Sequence, residues 1–190
     1  MRAKKNRRST GASARANASS SVNDKVTVRA IRPDEWESFR ELRLHALRTE
    51  PGVFLSPYAT EAAYTDEEWK QVLSIDDGQV FGLYDGDRLA GITAVFTWRH
   101  DPSRKTAVFA MTYILPEYRG RGLSRLYFDA RIAWVRAHAQ FEKMVVSHRV
   151  GNERSRNAIL RAGFTYWKTE SKTWPDGTVA DEHLYELRVR

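Results

Sequence analysis

The run Pro116-Glu-Tyr-Arg119-Gly120-Arg121-Gly122-Leu123-Ser124 combines residue types that suit anion chemistry. Glycines lack a Cβ, so at Gly120 and Gly122 the chain can take positive φ and a ligand can come close to the backbone. The apolar residues that follow recur at helical steps. The first NH groups of such a helix have no intrahelical partner and carry the positive end of its dipole. Arg119 and Arg121 add charge. The run therefore reads as a cradle for a phosphate or pyrophosphate. It is neither of two familiar phosphate loops: no glycine is followed by Lys and Ser or Thr, and Arg125 stands where a dinucleotide fingerprint needs a third glycine. Taken alone, a plain strand-to-helix turn remains the alternative.

A second run, Asn152-Glu-Arg-Ser155-Arg-Asn-Ala-Ile159-Leu-Arg-Ala-Gly163-Phe164, carries a helix-capping asparagine and a hydroxyl three residues later. Ser155 is either a proton donor or a helix-start serine bonded to backbone. His148 sits at a strand end, where a neutral imidazole can act as a base near pH 7 or simply bond a carbonyl. His100, Asp101, Glu182 and His183 read as solvated polar groups. The histidines are scattered without metal-site spacing, so no metal is expected. The chain has no cysteine, which removes disulfides, thiolate ligands and a cysteine nucleophile together.

The elements that must position these residues follow from periodicity. Thr106 to Leu115 is apolar, β-branched and aromatic, and reads as a buried strand. Leu123, Leu126, Tyr127, Ala130, Trp134 and Ala137 mark an amphipathic helix of about four turns. Upstream, Val26 to Ile31 is a first strand. A helix follows with Asp34 as its expected N-cap and Trp36, Phe39, Leu42, the Arg43 stem, Leu44 and Leu47 on its apolar side. Residues 51 to 64 read as a loop. Thr65 to Glu68 is a capping box opening a short helix. Gln79 to Tyr84 and Arg88 to Trp98 form a hairpin around Asp85-Gly-Asp. Phe141 to His148 is a strand, 152 to 162 a helix, and Phe164 to Thr173 with Val179 to Val189 a closing hairpin.

The 190 residues suffice for one core, and no apolar stretch is long enough to span a membrane. The formal net charge is +7, of which six charges fall in residues 1–23, where there is no acid. Residues 1–24 therefore read as a basic, disordered tail, and 25–190 as a near-neutral domain. That distribution sets aside a nucleic-acid-binding reading, since one Arg-Gly pair inside a strand-turn-helix is not a basic surface. A cysteine-free chain suits a reducing compartment, here taken as the cytoplasm.

The two runs, in this order and at this distance, resemble the acetyl-CoA loop and the following Asn-to-Gly-Phe segment of the GNAT N-acetyltransferase superfamily. Arg119 and Gly122 match its loop pattern, whereas Ser124 stands where Gly or Ala is usual. The resemblance spans roughly residues 26 to 189. It implies an α/β (α+β) fold with a mixed, mostly antiparallel sheet, helices on both faces and splayed central strands. It also implies acetyl-CoA as cosubstrate, held by Arg119, Gly120, Arg121, Gly122, Leu123, Ser124 and Asn152. A backbone NH near Thr112, Tyr113 or Ile114 would serve the oxyanion. The tyrosine acid and glutamate base of familiar members are replaced here by Ile159 and Ser147, which leaves Ser155 and His148 as catalytic candidates. The implied activity is direct acetyl transfer to a primary amine of a small molecule or amino-acid-like acceptor, the Leu44 and Phe54 region resembling small-molecule members. A protein N-terminus and a non-catalytic acyl-CoA-binding module are the alternatives, and a homodimer is left open.

Overall fold

Alternating β-branched and aromatic runs separated by turn residues yield seven strands, and the 3.6-residue apolar patterns yield the helices. The computed structural model describes residues 26–189, so the expected disordered tail lies outside the described residues. In chain order the elements are β1 (Val26–Ala30), α1 (Trp36–Thr49), α2 (Tyr58–Ala62), α3 (Asp66–Leu73), β2 (Gly78–Asp85) and β3 (Arg88–Thr97). They continue with β4 (Thr106–Ile114), α4 (Ser124–Ala137), β5 (Lys143–Arg149), α5 (Glu153–Arg161), β6 (Thr165–Thr173) and β7 (Val179–Arg188).

The strands form one sheet in the order β1-β2-β3-β4-β5-β7-β6. Every neighbouring pair is antiparallel except β4 and β5, which run parallel. That parallel ladder is short: Thr106, Ala107 and Val108 pair with Lys143, Met144 and Val145, and the strands then separate. From Phe109 onward the β5-facing edge of β4 has no ladder partner among the described residues, which leaves backbone polar groups to be met by something else.

Helices cover both faces. On one, Phe128 and Val135 of α4 and Ile159 of α5 pack with Phe109, Met144 and Phe164. On the other, Phe39, Leu42 and Leu47 of α1 pack with Trp69 and Leu73 of α3 over Ile92 and Tyr113. Phe39 is fully buried and meets Trp69 edge-on at 5.6 Å. Its truncation to alanine would cost about 3–5 kcal/mol. Among the described residues, no helix is long and apolar enough to cross a membrane.

Three local readings are corrected, and one irregularity comes from the structure alone. Asp34 does not cap α1: Pro33–Glu35 is a separate 3-10 turn, and the exposed Asp34 carboxylate accepts from Arg32 Nε at 3.1 Å. The expected loop over 51 to 64 contains α2, whose Glu61 is buried against α1. Arg43 buries its guanidinium as well as its stem. Finally, β4 is not regular: Ile92 pairs with Tyr113 but Ala94 with Ala110, so Met111 and Thr112 together face Thr93. This bulge places Met111 at φ +57°, a conformation that L residues seldom take.

Candidate active site

A cleft of about 2040 Å³ runs from the glycine turn, through the gap between β4 and β5, to the α1 face of the sheet. At its α4 end, Gly120 and Gly122 have φ of +76° and +75°. A Cβ added to either would meet nothing within 4 Å. The glycines are thus required by backbone conformation, and the space above them is open. The NH groups of Gly122, Leu123 and Ser124 donate to no group among the described residues, and no side chain caps α4. Convergent free amides at a helix start, beside open space, fit a pyrophosphate.

The two arginines of the turn are used otherwise than their charge suggests. Arg121 donates to the Glu117 carbonyl at 2.6 Å and lies over the Tyr118 ring. Arg119 donates through Nε to the Ile114 carbonyl at 2.7 Å and through Nη2 to Glu50 at 2.5 Å. Arg119 therefore braces the turn against the end of β4 and the end of α1.

At the start of α5, Asn152 Oδ1 accepts from the Ser155 NH at 3.1 Å, the expected cap. The Ser155 hydroxyl bonds nothing among the described residues and borders the cleft. Of the two Ser155 readings, its hydroxyl is thus free of the backbone. His148 is different. Its Nδ1 lies 2.7 Å from the Arg149 carbonyl, which can only accept, so Nδ1 carries the proton. Nε2 then accepts from the Tyr185 hydroxyl at 3.1 Å, and the ring stacks on Tyr185. An imidazole held at both nitrogens offers no lone pair to an amine, so His148 is the structural histidine of the two readings.

Between these ends, the three β4 residues expected near the oxyanion are tightly fixed. Thr112 Oγ1 is 2.8 Å from Thr93 Oγ1 and accepts from Arg131 at 3.0 Å. The Tyr113 carbonyl accepts from the Tyr127 hydroxyl at 3.1 Å, and Ile114 is held by Arg119. Burial drives the Tyr127 phenol well above its ordinary pKa. Arg131 has no carboxylate partner among the described residues; it lies over Phe109 and Phe128, and burial brings it down to about 9.

The α1 face closes the other end through long-range pairs. Arg43 and Glu61, both buried, form a two-point ion pair at 2.8 and 2.6 Å, with Arg43 over the Phe54 ring. Arg43 Nη1 is the single buried side-chain polar atom among the described residues that lacks a partner. Arg149 bonds the Gly52 carbonyl at 3.1 Å and Asp176 at 2.6 Å, strapping the 52–54 loop to the β6–β7 turn. A Cβ on Gly52 would come within 2.7 Å of Arg149 and 2.8 Å of Asp176, so the strap needs glycine there. On the same face, the Ser147 hydroxyl donates to Glu182 Oε1 at 2.5 Å.

Glu182 was expected at the surface and is instead 6 % exposed. The signal that could have found it is the period-two alternation that puts Glu182 on the side of buried Leu184. Helical spacing offers a like signal for Arg43, four residues after Phe39, and for Arg131, four after Tyr127, whereas the buried state of Glu61 depends on the distant Arg43. No group of three or more His, Asp or Glu among the described residues is disposed to hold a metal ion.

A family model described as acetyltransferase (GNAT) family matches residues 30–164. Among solved structures, yncA from Salmonella typhimurium with its cofactor acetyl-CoA has a TM-score of 0.72 at 18% identity, covering 87% of this chain and 94% of that one. The spermidine N-acetyltransferase from Vibrio cholerae in complex with CoA and spermine has a TM-score of 0.69 at 15% identity, covering 87% and 96%. The ribosomal-protein-S5-alanine acetyltransferase from Vibrio fischeri has a TM-score of 0.71 at 16% identity, covering 86% and 93%. At these identities the likeness is one of fold. No curated protein matches by sequence.

Proposed function

The chain belongs to the GNAT acetyltransferase family, an N-acetyltransferase family whose cosubstrate is acetyl-CoA, and from that premise we propose direct acetyl transfer to the primary amine of a small, amino-acid-like molecule. The observation that carries this reading is the continuity of the cleft, from the free amides of the turn to the strapped α1 face.

Each part of the cleft has a task. The amides of Gly122, Leu123 and Ser124, with the α4 dipole, hold the pyrophosphate. Gly120 shapes the turn, and Arg119 and Arg121 hold it in place. The unpaired β4 edge beyond Val108 receives the pantetheine arm, and Asn152 fixes the start of α5 beside it. Acetyl-CoA supplies the acyl thioester. A backbone NH in Thr112, Tyr113 and Ile114, held by Arg131, Tyr127 and Arg119, donates to the developing oxyanion. The Ser155 hydroxyl donates to the departing sulfur; a thiol of pKa about 8.5 needs only that modest help.

The amino-acid-like part of the reading rests on Arg43. Its Nη1 is a buried charged donor without an acceptor, a costly state that an acceptor molecule carrying a carboxylate beside its amine would relieve. A lack of cysteine suits the reducing cytoplasm. The test is release of free CoA with matched pairs of amines, each amino acid against its decarboxylated amine. Preference for the amino acids is expected; equal rates would remove the carboxylate from the reading. The second reading, transfer to a protein N-terminus, is favoured by the likeness to the Vibrio fischeri enzyme. It would give release with alanine-initiated peptides and none with free amino acids.

A further inference from the structure

Resting on the transferase reading, we infer that Glu182 is the general base that takes the proton of the acceptor amine, held for that task by Ser147. An amine of pKa about 10 is an ammonium at neutral pH and must lose a proton before it can attack. Among the described residues, four carboxylates border the cleft: Glu50, Glu61, Glu170 and Glu182. Glu50 is paired with Arg119. Glu61 gives both oxygens to Arg43. Glu170 lies between Lys168 and Lys172, whose hydrogen bonds hold its carboxyl down at about 2. Those three are occupied.

Glu182 is not. Among the described residues its closest cation is Lys172, 4.0 Å from Oε2, and that ammonium is 2.7 Å from Glu170. Oε1 accepts from Ser147, while Oε2 accepts no hydrogen bond among the described residues, and Glu182 borders the cleft. The two histidines on the cleft do not compete: His148 is held at both nitrogens, and His100 is solvent-exposed against Trp98. Placement agrees with the task. Ser147 pairs with Leu184, and Arg149 with Glu182, on the face covered by the Arg149 strap and the 52–54 loop.

An ammonium and a carboxylate brought together away from water lower their joint desolvation cost when the proton moves between them. Glu182 Oε2 takes one proton from the ammonium and passes it to solvent. The amine nitrogen then forms its bond to the thioester carbon as the carbon–sulfur bond breaks. The CoA sulfur takes its proton from the Ser155 hydroxyl, and the second proton leaving nitrogen restores that hydroxyl.

Glu182→Gln keeps the shape and the Ser147 hydrogen bond but cannot accept the proton. Turnover of the amine should fall roughly 100-fold or more. The melting-temperature rise with acetyl-CoA should stay at its wild-type value. The residual rate should climb about tenfold per pH unit with the free-amine fraction, the facing charges of Arg149, Lys172 and Glu170 being unchanged. A Gln variant within threefold of wild type, with the same pH profile, overturns this assignment alone. Wild-type protein that binds acetyl-CoA yet releases no CoA with any amine overturns the transferase reading, and Glu182 with it.

Discussion

The two ends of the cleft are built by opposite means. The end proposed for the cofactor is made of contiguous chain: Gly120 to Ser124 form the turn, the NH groups of Gly122, Leu123 and Ser124 are free among the described residues, and Asn152 caps a turn only three residues ahead. The acceptor end is made of pairs remote in sequence. Arg43 meets Glu61 across 18 residues, Ser147 meets Glu182 across 35, and Arg149 meets Gly52 across 97, while Arg119, meeting Glu50 across 69, ties the turn to the end of α1. One end stores its geometry in backbone dihedrals, the other in charges that the fold brings together. The comparison implies that a single substitution in the turn should remove binding with little harm to the fold. A single substitution in the pairs should harm the fold first.

The sharpest break of that comparison is Gly122→Glu. At φ +75° any side chain adds about 1–2 kcal/mol of strain, which lowers the melting temperature modestly. The carboxylate also enters the open space above the turn, which is the proposed pyrophosphate site. Acetyl-CoA affinity should fall on the order of a thousandfold, read as loss of the ligand-induced melting shift. Gly122→Ala separates strain from charge and should keep most of the affinity. Full affinity in the Glu variant would mean that the turn is not the cradle.

The acceptor end should behave the other way. Arg43→Met leaves Glu61 buried and uncompensated, a loss of about 3–5 kcal/mol in denaturant unfolding. Adding Glu61→Leu should recover most of it, because both charges then disappear together. The acetyl-CoA melting shift should survive in both. A single variant as stable as wild type would show that the pair is not the internal brace described.

That contrast also explains what the sequence disclosed. The glycine turn, the Asn152 cap, the succession of strands along the chain and the three larger helices lie within short windows of periodicity and capping chemistry. The splay of β4 from β5 was expected only through the family resemblance. Glu182 was misread as a surface carboxylate because its partner, Ser147, is on another strand. His148 was read with its structural alternative beside it, and Tyr185 decides between them from 37 residues away. Asp34 was misplaced because the Pro33–Glu35 turn delays the start of α1.

A smaller effect sharpens the acceptor end further. Arg149→Ala releases the 52–54 loop from the β6–β7 turn without leaving a deeply buried charge behind. The amine KM should rise roughly tenfold, about 1.4 kcal/mol, with the acetyl-CoA melting shift unchanged. If KM for both substrates moved together, the strap would be shaping the whole cleft, and the division into two ends would fail.

The smallest effect is a pH dependence. Asp176 has its carboxyl held down at about 2, first by the Thr178 hydroxyl and then by Arg149. A carboxylate with a depressed folded pKa adds stability in full above its ordinary pKa near 4, and that stability is lost as pH falls through the folded value. The strap should therefore be intact at every pH from 5 to 8 and weaken only toward pH 2. Melting curves of wild type and Asp176→Asn, taken from pH 7 down to pH 3, should differ by a constant amount above pH 5 and converge below 4. Convergence near pH 6 instead would mean that a histidine, not Asp176, governs the strap. The acceptor end would then respond to physiological acidity, a sensitivity that the backbone-built cofactor end has no means to share.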